Sequence, residues 1–180
     1  MKKLYFITGN KEKLKEFKDL LPNVVEIKLD LPEIQELNPK KIVEEKLKIA
    51  LKTKKYPLII EDTSLYLDSL NGFPGPLIKW LLNSIGDKGV VELITKYKNK
   101  KAVAKTIIGY ADKKEIKFFE GETKGIIVMP TSNANFGWDS IFQPEKYNKT
   151  FNEMNLEEKN KISMRNIAIR KLKNYLKAKS

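Results

Sequence analysis

The chain has 180 residues, 41% of them hydrophobic, and carries 35 Lys plus Arg against 23 Asp plus Glu for a formal net charge of +12. That length suits one globular domain with a sizeable core. It holds neither cysteine nor histidine, which excludes disulfides, thiolate chemistry and imidazole catalysis. Any general base must be Asp, Glu, Lys or Tyr, and any metal site must use oxygen ligands, which suits Mg²⁺ or Mn²⁺ rather than zinc.

Residues 4–8 read as a buried strand, and the Gly9-Asn10 turn leads into a helix over 11–21 with Asn10 as N-cap and Leu14, Phe17 and Leu21 on its apolar face. Pro22 closes that helix. A second strand covers 24–29, followed by the loop Asp30-Leu31-Pro32-Glu33-Ile34-Gln35. Asn38 as cap and Pro39 as first residue open a helix to about residue 54, with Val43, Leu47, Ala50 and Leu51 inward. The third strand, 58–61, is expected to stop on the adjacent carboxylates Glu61 and Asp62, with a further strand over 65–70. After the turn-rich loop Asn71-Gly72-Phe73-Pro74-Gly75-Pro76 come helices around 77–85 and 90–97. Strands over 102–110 and 116–123 flank Asp112-Lys113-Lys114-Glu115 as a hairpin, and 125–129 extends the sheet. Helices over 156–161 and 164–177 end the chain, the latter capped by Ser163 with Ile167, Leu172 and Leu176 buried. The order predicts an α/β domain over 1–180 with a mixed sheet flanked by helices.

No apolar run is long enough to cross a bilayer, and the start resembles a signal peptide only in its charge, so a soluble, cytoplasmic protein is expected. Lysine supplies nearly all the positive charge, with arginine only at Arg165 and Arg170. The excess reads as a solvated lysine surface, and nucleic acid is not the expected partner.

Three constellations point to chemistry. Thr8-Gly9-Asn10 before a helix carrying Lys13 makes a phosphate cradle of backbone N–H groups, short polar donors and one ammonium. Glu33 and the Glu61-Asp62 pair both follow strands, so parallel strands bring the acids to one sheet edge, where they could hold Mg²⁺ and take a proton from water. Phe136-Gly137-Trp138-Asp139 joins aromatic faces to a carboxylate acceptor, a combination suited to stacking and reading a purine. Each motif alone also fits an ordinary turn, a solvated lysine or core packing.

Taken in order, Thr8-Gly9-Asn10-Lys11-Glu12-Lys13, Asp30-Leu31-Pro32-Glu33-Ile34-Gln35, Glu61-Asp62-Thr63, Gly72-Phe73-Pro74-Gly75-Pro76-Leu77-Ile78-Lys79-Trp80, Phe136-Gly137-Trp138-Asp139 and Glu157-Glu158-Lys159 through Ser163-Met164-Arg165 resemble the inosine triphosphate pyrophosphatase, or Ham1-like, family. The resemblance implies an elongated α/β fold with a substrate cleft between two lobes, a homodimer, and Mg²⁺-dependent hydrolysis of ITP, dITP and XTP to the monophosphate and pyrophosphate, which cleanses the nucleotide pool. By position it implies that Thr8, Gly9, Asn10, Lys11, Glu12 and Lys13 hold the triphosphate, with Glu33 and Asp62 on the metal. Asp62 or Glu61 acts in catalysis, while Thr63, Lys46, Lys79 and Lys159 make further substrate contacts. Phe136 and Trp138, joined by Gly137, sandwich the base, and Asp139 and Arg165 read its edge.

Departures from the family pattern are specific. Met164 stands where a histidine is usual beside Arg165, Leu77 where tyrosine is common, and Ser64 where glycine or cysteine is common. The first of these raises the alternative of altered or broad base specificity on the same fold. A non-catalytic nucleic-acid-binding protein is the remaining alternative; the retained carboxylates argue against it.

Overall fold

The computed structural model of the chain describes residues 3–54, 57–131 and 137–179. Its elements are β1 (Leu4–Ile7), α1 (Lys11–Leu20), β2 (Val24–Ile27), α2 (Pro39–Thr53), β3 (Leu58–Leu67), β4 (Pro74–Gly75), α3 (Ile78–Thr95), β5 (Lys101–Ala111), β6 (Ile116–Ile127), β7 (Phe142–Pro144), α4 (Leu156–Ile162) and α5 (Met164–Lys179). The strands form one seven-stranded sheet in the order β2-β1-β3-β5-β6-β7, with β4 added antiparallel to β3. β1 runs parallel to both β2 and β3, whereas β6 and β7 are antiparallel, so the sheet is mixed as expected.

By its internal contacts the chain divides into two units: the described residues of Met1–Thr63, Thr106–Gly121 and Met164–Ser180, and those of Ser64–Lys105 and Glu122–Ser163. In the first unit strand alternation sorts the core onto two faces. Leu4, Phe6, Ile59, Ile108 and Tyr110 pack with Phe17, Leu21, Ala168, Ile169 and Leu172, so α1 and α5 cover one face. Ile7, Leu58, Ile60, Ile107 and Ala111 pack with Val43, Leu47 and Ala50 of α2 on the other. Full burial of side chains such as Phe17 and Leu47 stabilises by roughly 1.5–3 kcal/mol each.

Local signals set the helix starts. The Asn10 side chain accepts from the Lys13 amide at 3.0 Å, and Asn38, ahead of Pro39 in the first turn, accepts from the Lys40 amide at 3.0 Å. Gly121 of β6 lies against the start of α5: a Cβ there would fall 1.8 Å from the Met164 carbonyl oxygen and 2.8 Å from the Ala168 nitrogen. Only glycine allows that approach.

The second unit contains α3, α4 and an aromatic group of Trp138, Phe142 and Phe151, with ring centroids 5.2–6.5 Å apart. A capping box in which Asn155 and Glu158 exchange backbone and side-chain bonds starts α4. Ser140, 1% exposed, donates to Asp87 Oδ2 at 2.9 Å.

Several sequence expectations are corrected. β3 does not stop at Glu61-Asp62 but runs through both to Leu67, because β4 pairs with Leu65 and Tyr66 and the acids leave from opposite faces into separate partners. β2 ends at Ile27, two residues short of the expected end. The two helices expected at 77–85 and 90–97 are borne out: α3 is two helices that meet at Gly86, whose φ of 70° and ψ of 174° are non-helical, and only the start of the second, before residue 90, differs. Ser163 stands where the cap of α5 is expected, directly before Met164, and in addition closes α4 through its N–H to the Lys159 carbonyl. The buried side of α5 centres on Ala168, Ile169 and Leu172, with Ile167 only half-buried. β4, β7 and a 3₁₀ turn at Asp68–Leu70 are too short to show a period in sequence. Among the described residues no helix is long and apolar enough to cross a membrane.

Candidate active site

The register pairing Phe6 with Ile59, continued two residues, puts Thr8 level with Glu61. The acids therefore lie where the parallel strands β1 and β2 have ended and only β3 continues, the position at which open α/β sheets build sites. Thr8 Oγ1 accepts from the Asn10 amide at 3.1 Å and Asn10 caps α1, so the two polar side chains brace the turn. Gly9 faces open space, with no atom within 4 Å of where a Cβ would stand. The first turn of α1 then presents Lys11 and Glu12 to solvent and turns Lys13 inward.

Strand alternation separates the two neighbouring carboxylates. Glu61 shares the parity of Ile59 and faces α1 and α5; Asp62 shares that of Leu58 and Ile60 and leaves toward α2. Glu61 is 7% exposed and sits among cations: Lys13 Nζ lies 2.9 Å from Oε2 and Arg165 Nε 3.4 Å from Oε1, while Thr63 Oγ1 donates to Oε1. Burial alone would raise its pKa, but Arg165, Lys13 and the Thr63 bond outweigh it and hold the group down at about 2. Asp62 goes the other way. Burial raises it, the Glu61 and Glu33 charges add to that, and Lys13 and Lys46 offset only part, leaving it at about 6.

Glu33, in the loop after β2, forms an ion pair with Lys46 of α2, and both lie within electrostatic reach of Asp62. The expected convergence of Glu33, Asp62, Lys46 and Lys13 is thus present in the first unit. Three clustered carboxylates are not: among the described residues no group of three possible ligands is gathered closely enough for a metal ion. Glu61 is turned to the cations of the other face. Glu33 and Asp62 remain oxygen donors of the type that hard divalent cations take from one or two carboxylates together with substrate phosphates.

Arg165, expected at a base edge, is 1% exposed. Its Nη1 donates to Glu16 Oε2 at 2.7 Å and its Nη2 to Thr63 Oγ1 at 3.3 Å, and Thr63 lies 3.3 Å from Thr106 Oγ1. Thr63 is therefore held within this network. Glu16 and Thr106 escaped the sequence reading. The signal for Glu16 was available: an acid between the inward positions Leu14 and Phe17, in a chain with only two arginines to pair. Met164 is 2% exposed at the start of α5.

In the second unit, Asp139 and Lys159 form a buried ion pair at 2.5 Å, and the Lys159 ammonium lies 5.5 Å from the Phe151 ring centroid. Trp138, expected to stack on a base, is 6% exposed with its ring against Phe142 and Phe151. Gly137 is exposed at φ 49°, and Lys79 is exposed on the first turn of α3. Phe136 lies outside the described residues.

Residues 4–175 match the model of the Ham1 family. The inosine triphosphate pyrophosphatase of Schizosaccharomyces pombe is 41% identical, over 99% of this chain and 97% of its own length. That of Kluyveromyces lactis is 42% identical over 96% and 95%. Among solved structures, the Staphylococcus aureus Ham1 protein superposes with a TM-score of 0.83 at 26% identity, covering 99% of this chain and all of that one. A HAM1 protein from Coxiella burnetii gives 0.84 at 23% identity over the same shares, a likeness of fold. With its acids, lysines and sheet order in place, and with relatives matched end to end, this chain belongs to the Ham1 family.

Proposed function

We propose that the protein is a metal-dependent nucleoside triphosphate pyrophosphatase that hydrolyses ITP, dITP and XTP to the monophosphate and pyrophosphate. The observation that carries this reading is the placement of two adjacent carboxylates on opposite faces of β3 beside the Thr8-to-Lys13 turn, Glu61 paired with Lys13 and Arg165 and Asp62 within electrostatic reach of Lys13, Lys46 and Glu33. Its relatives from S. pombe and K. lactis bear the name inosine triphosphate pyrophosphatase.

In this reading the turn amides, Lys13 and Lys46 hold the polyphosphate, whose charge must be neutralised before water can approach the α-phosphorus. Asp62 is the proton acceptor, since a general base works best when its pKa lies near the working pH. Glu61, already committed to Lys13 and Arg165, is poorly basic and serves to hold those cations. As the water oxygen bonds to the α-phosphorus, the bond from that phosphorus to the bridging oxygen of the β-phosphate breaks. Pyrophosphate leaves, and the water proton passes to the Asp62 carboxylate. Glu33 and Asp62 would hold Mg²⁺ or Mn²⁺, which would supply further charge neutralisation at the phosphates. The base end is assigned to the Phe136-to-Asp139 segment with Lys159 and Lys79, and Arg165 keeps its assignment to the base edge only if substrate draws it from Glu61.

Pyrophosphate release from ITP and XTP, with and without Mg²⁺, tests the reading, with the Asp62→Asn variant as the blank. Wild-type release no faster than the blank would refute it. A second reading, broad base choice, is favoured by Met164, whose buried thioether brings no N–H donor to a purine oxygen. Comparable kcat/KM for ITP, ATP and GTP would establish it. Homodimerisation and a cytoplasmic setting are carried by the family resemblance, and sedimentation of the purified chain tests the former.

A further inference from the structure

One buried carboxylate of the first unit has no part in the hydrolysis described above. Glu16 stands on α1, one turn after Lys13, and is 4% exposed. Its Oε2 takes Arg165 Nη1 at 2.7 Å, Arg165 Nε faces Glu61 Oε1 at 3.4 Å, and Lys13 Nζ lies 2.9 Å from Glu61 Oε2. Two cations and two carboxylates thus alternate in a ring that closes through the backbone of α1.

We infer that Glu16 is a positioning residue for Lys13: by holding one arm of the Arg165 guanidinium, it leaves the Oε2 oxygen of Glu61 to the Lys13 ammonium. The inference rests on the reading that Lys13 meets the polyphosphate. A guanidinium binds a carboxylate best through two parallel N–H bonds. Arg165 meets Glu61 through Nε at a long 3.4 Å, while Glu16 and Thr63 take its two terminal nitrogens. With Glu16 neutral, Arg165 turns onto both Glu61 oxygens and Lys13 loses its anchor. A lysine ordered before binding loses less freedom on meeting phosphate than a mobile one.

The test is a double-mutant cycle on pyrophosphate binding by titration calorimetry, using wild type, Glu16→Gln, Lys13→Ala and the double variant. Glu16→Gln is expected to weaken pyrophosphate about tenfold when Lys13 is present, the scale of re-ordering one long side chain, and less than about twofold in the Lys13→Ala background. The same variant should raise KM for ITP by more than it lowers kcat. Equal losses in both backgrounds would reduce Glu16 to a structural ion-pair partner and overturn the inference, as would wild-type protein that binds no pyrophosphate. Should Glu16→Gln fail to fold, Glu16→Asp keeps the charge balance, and its smaller loss must show the same dependence on Lys13. Pyrophosphate binding with the expected coupling, but no ITP hydrolysis, would sink the functional reading and leave this one standing.

Discussion

The first unit holds two ionic networks that use the same residue types to opposite ends. At the β5–β6 turn, Lys179 of α5 bridges Asp112 and Glu115 at 2.7 Å each, and its ammonium lies 5.2 and 5.4 Å from the ring centroids of Tyr110 and Tyr175. Asp112 also accepts from the Tyr110 hydroxyl and from the Lys114 and Glu115 amides. Burial would raise Asp112, but Lys179 and these donors hold it well below the usual carboxylate range; Glu115, led by its Lys179 bond, is held near 2. Every acid of this clasp is satisfied in the ionised form. Around Glu61 and Asp62 the two acids part: against its burial, Arg165 and Lys13 hold Glu61 below its ordinary value, whereas burial lifts Asp62 above its own. Neighbouring acids perturbed in opposite directions are more characteristic of a site that acts on a ligand than of ion pairs that serve the fold.

The sharpest way to break this comparison is Asp62→Asn. It is expected to lower kcat by about 10³-fold, the scale of a lost general base, in a pyrophosphate-release assay. Because the folded-state pKa of Asp62 lies above its ordinary value of 3.8, ionising it costs stability as pH rises from there to about 6. The Asn variant should therefore melt no lower than wild type at pH 7.5; a clear drop in Tm would place Asp62 with the structural acids.

Glu61→Gln should do the reverse in stability. It leaves Arg165 and Lys13 short of a counter-charge in a buried place, a loss of about 3 kcal/mol, or roughly 6–12 °C in Tm by calorimetry. Glu61 is depressed, so its contribution is present above its ordinary pKa of 4.5 and is lost as pH falls toward 2. Activity against pH gives a smaller effect: at limiting metal, kcat/KM should fall up to tenfold for each unit below about pH 6, as Asp62 takes a proton. A flat profile between pH 5 and 7 would remove Asp62 as the base. The smallest effect is expected from Lys179→Met, a lower Tm than wild type with kcat and KM for ITP unchanged; an altered kcat would tie the clasp to the site.

Much of this was legible in the sequence because it is written in local periods. The caps Asn10 and Asn38, the inward faces of α1 and α2 and the β5–β6 hairpin follow from spacing and turn chemistry. The acids were legible as a site but not as a geometry. Two adjacent carboxylates look like a strand end, and only the pairing of β3 with its neighbours carries the strand past them. Arg165, Glu16 and Glu61 are 45 to 149 residues apart in pairs, so nothing in local sequence joins them. Their contact comes from α1 and α5 covering the same face of the sheet.

That shared face depends on Gly121. With the α5 backbone against the strand at a distance no Cβ permits, the helix that carries Arg165 has no slack in that direction. The smallest residue in the chain thus acts as a gauge block for the largest cation in it. A methyl group added there would have to push the start of α5 off the strand, and Arg165 with it, away from Glu16 and Glu61.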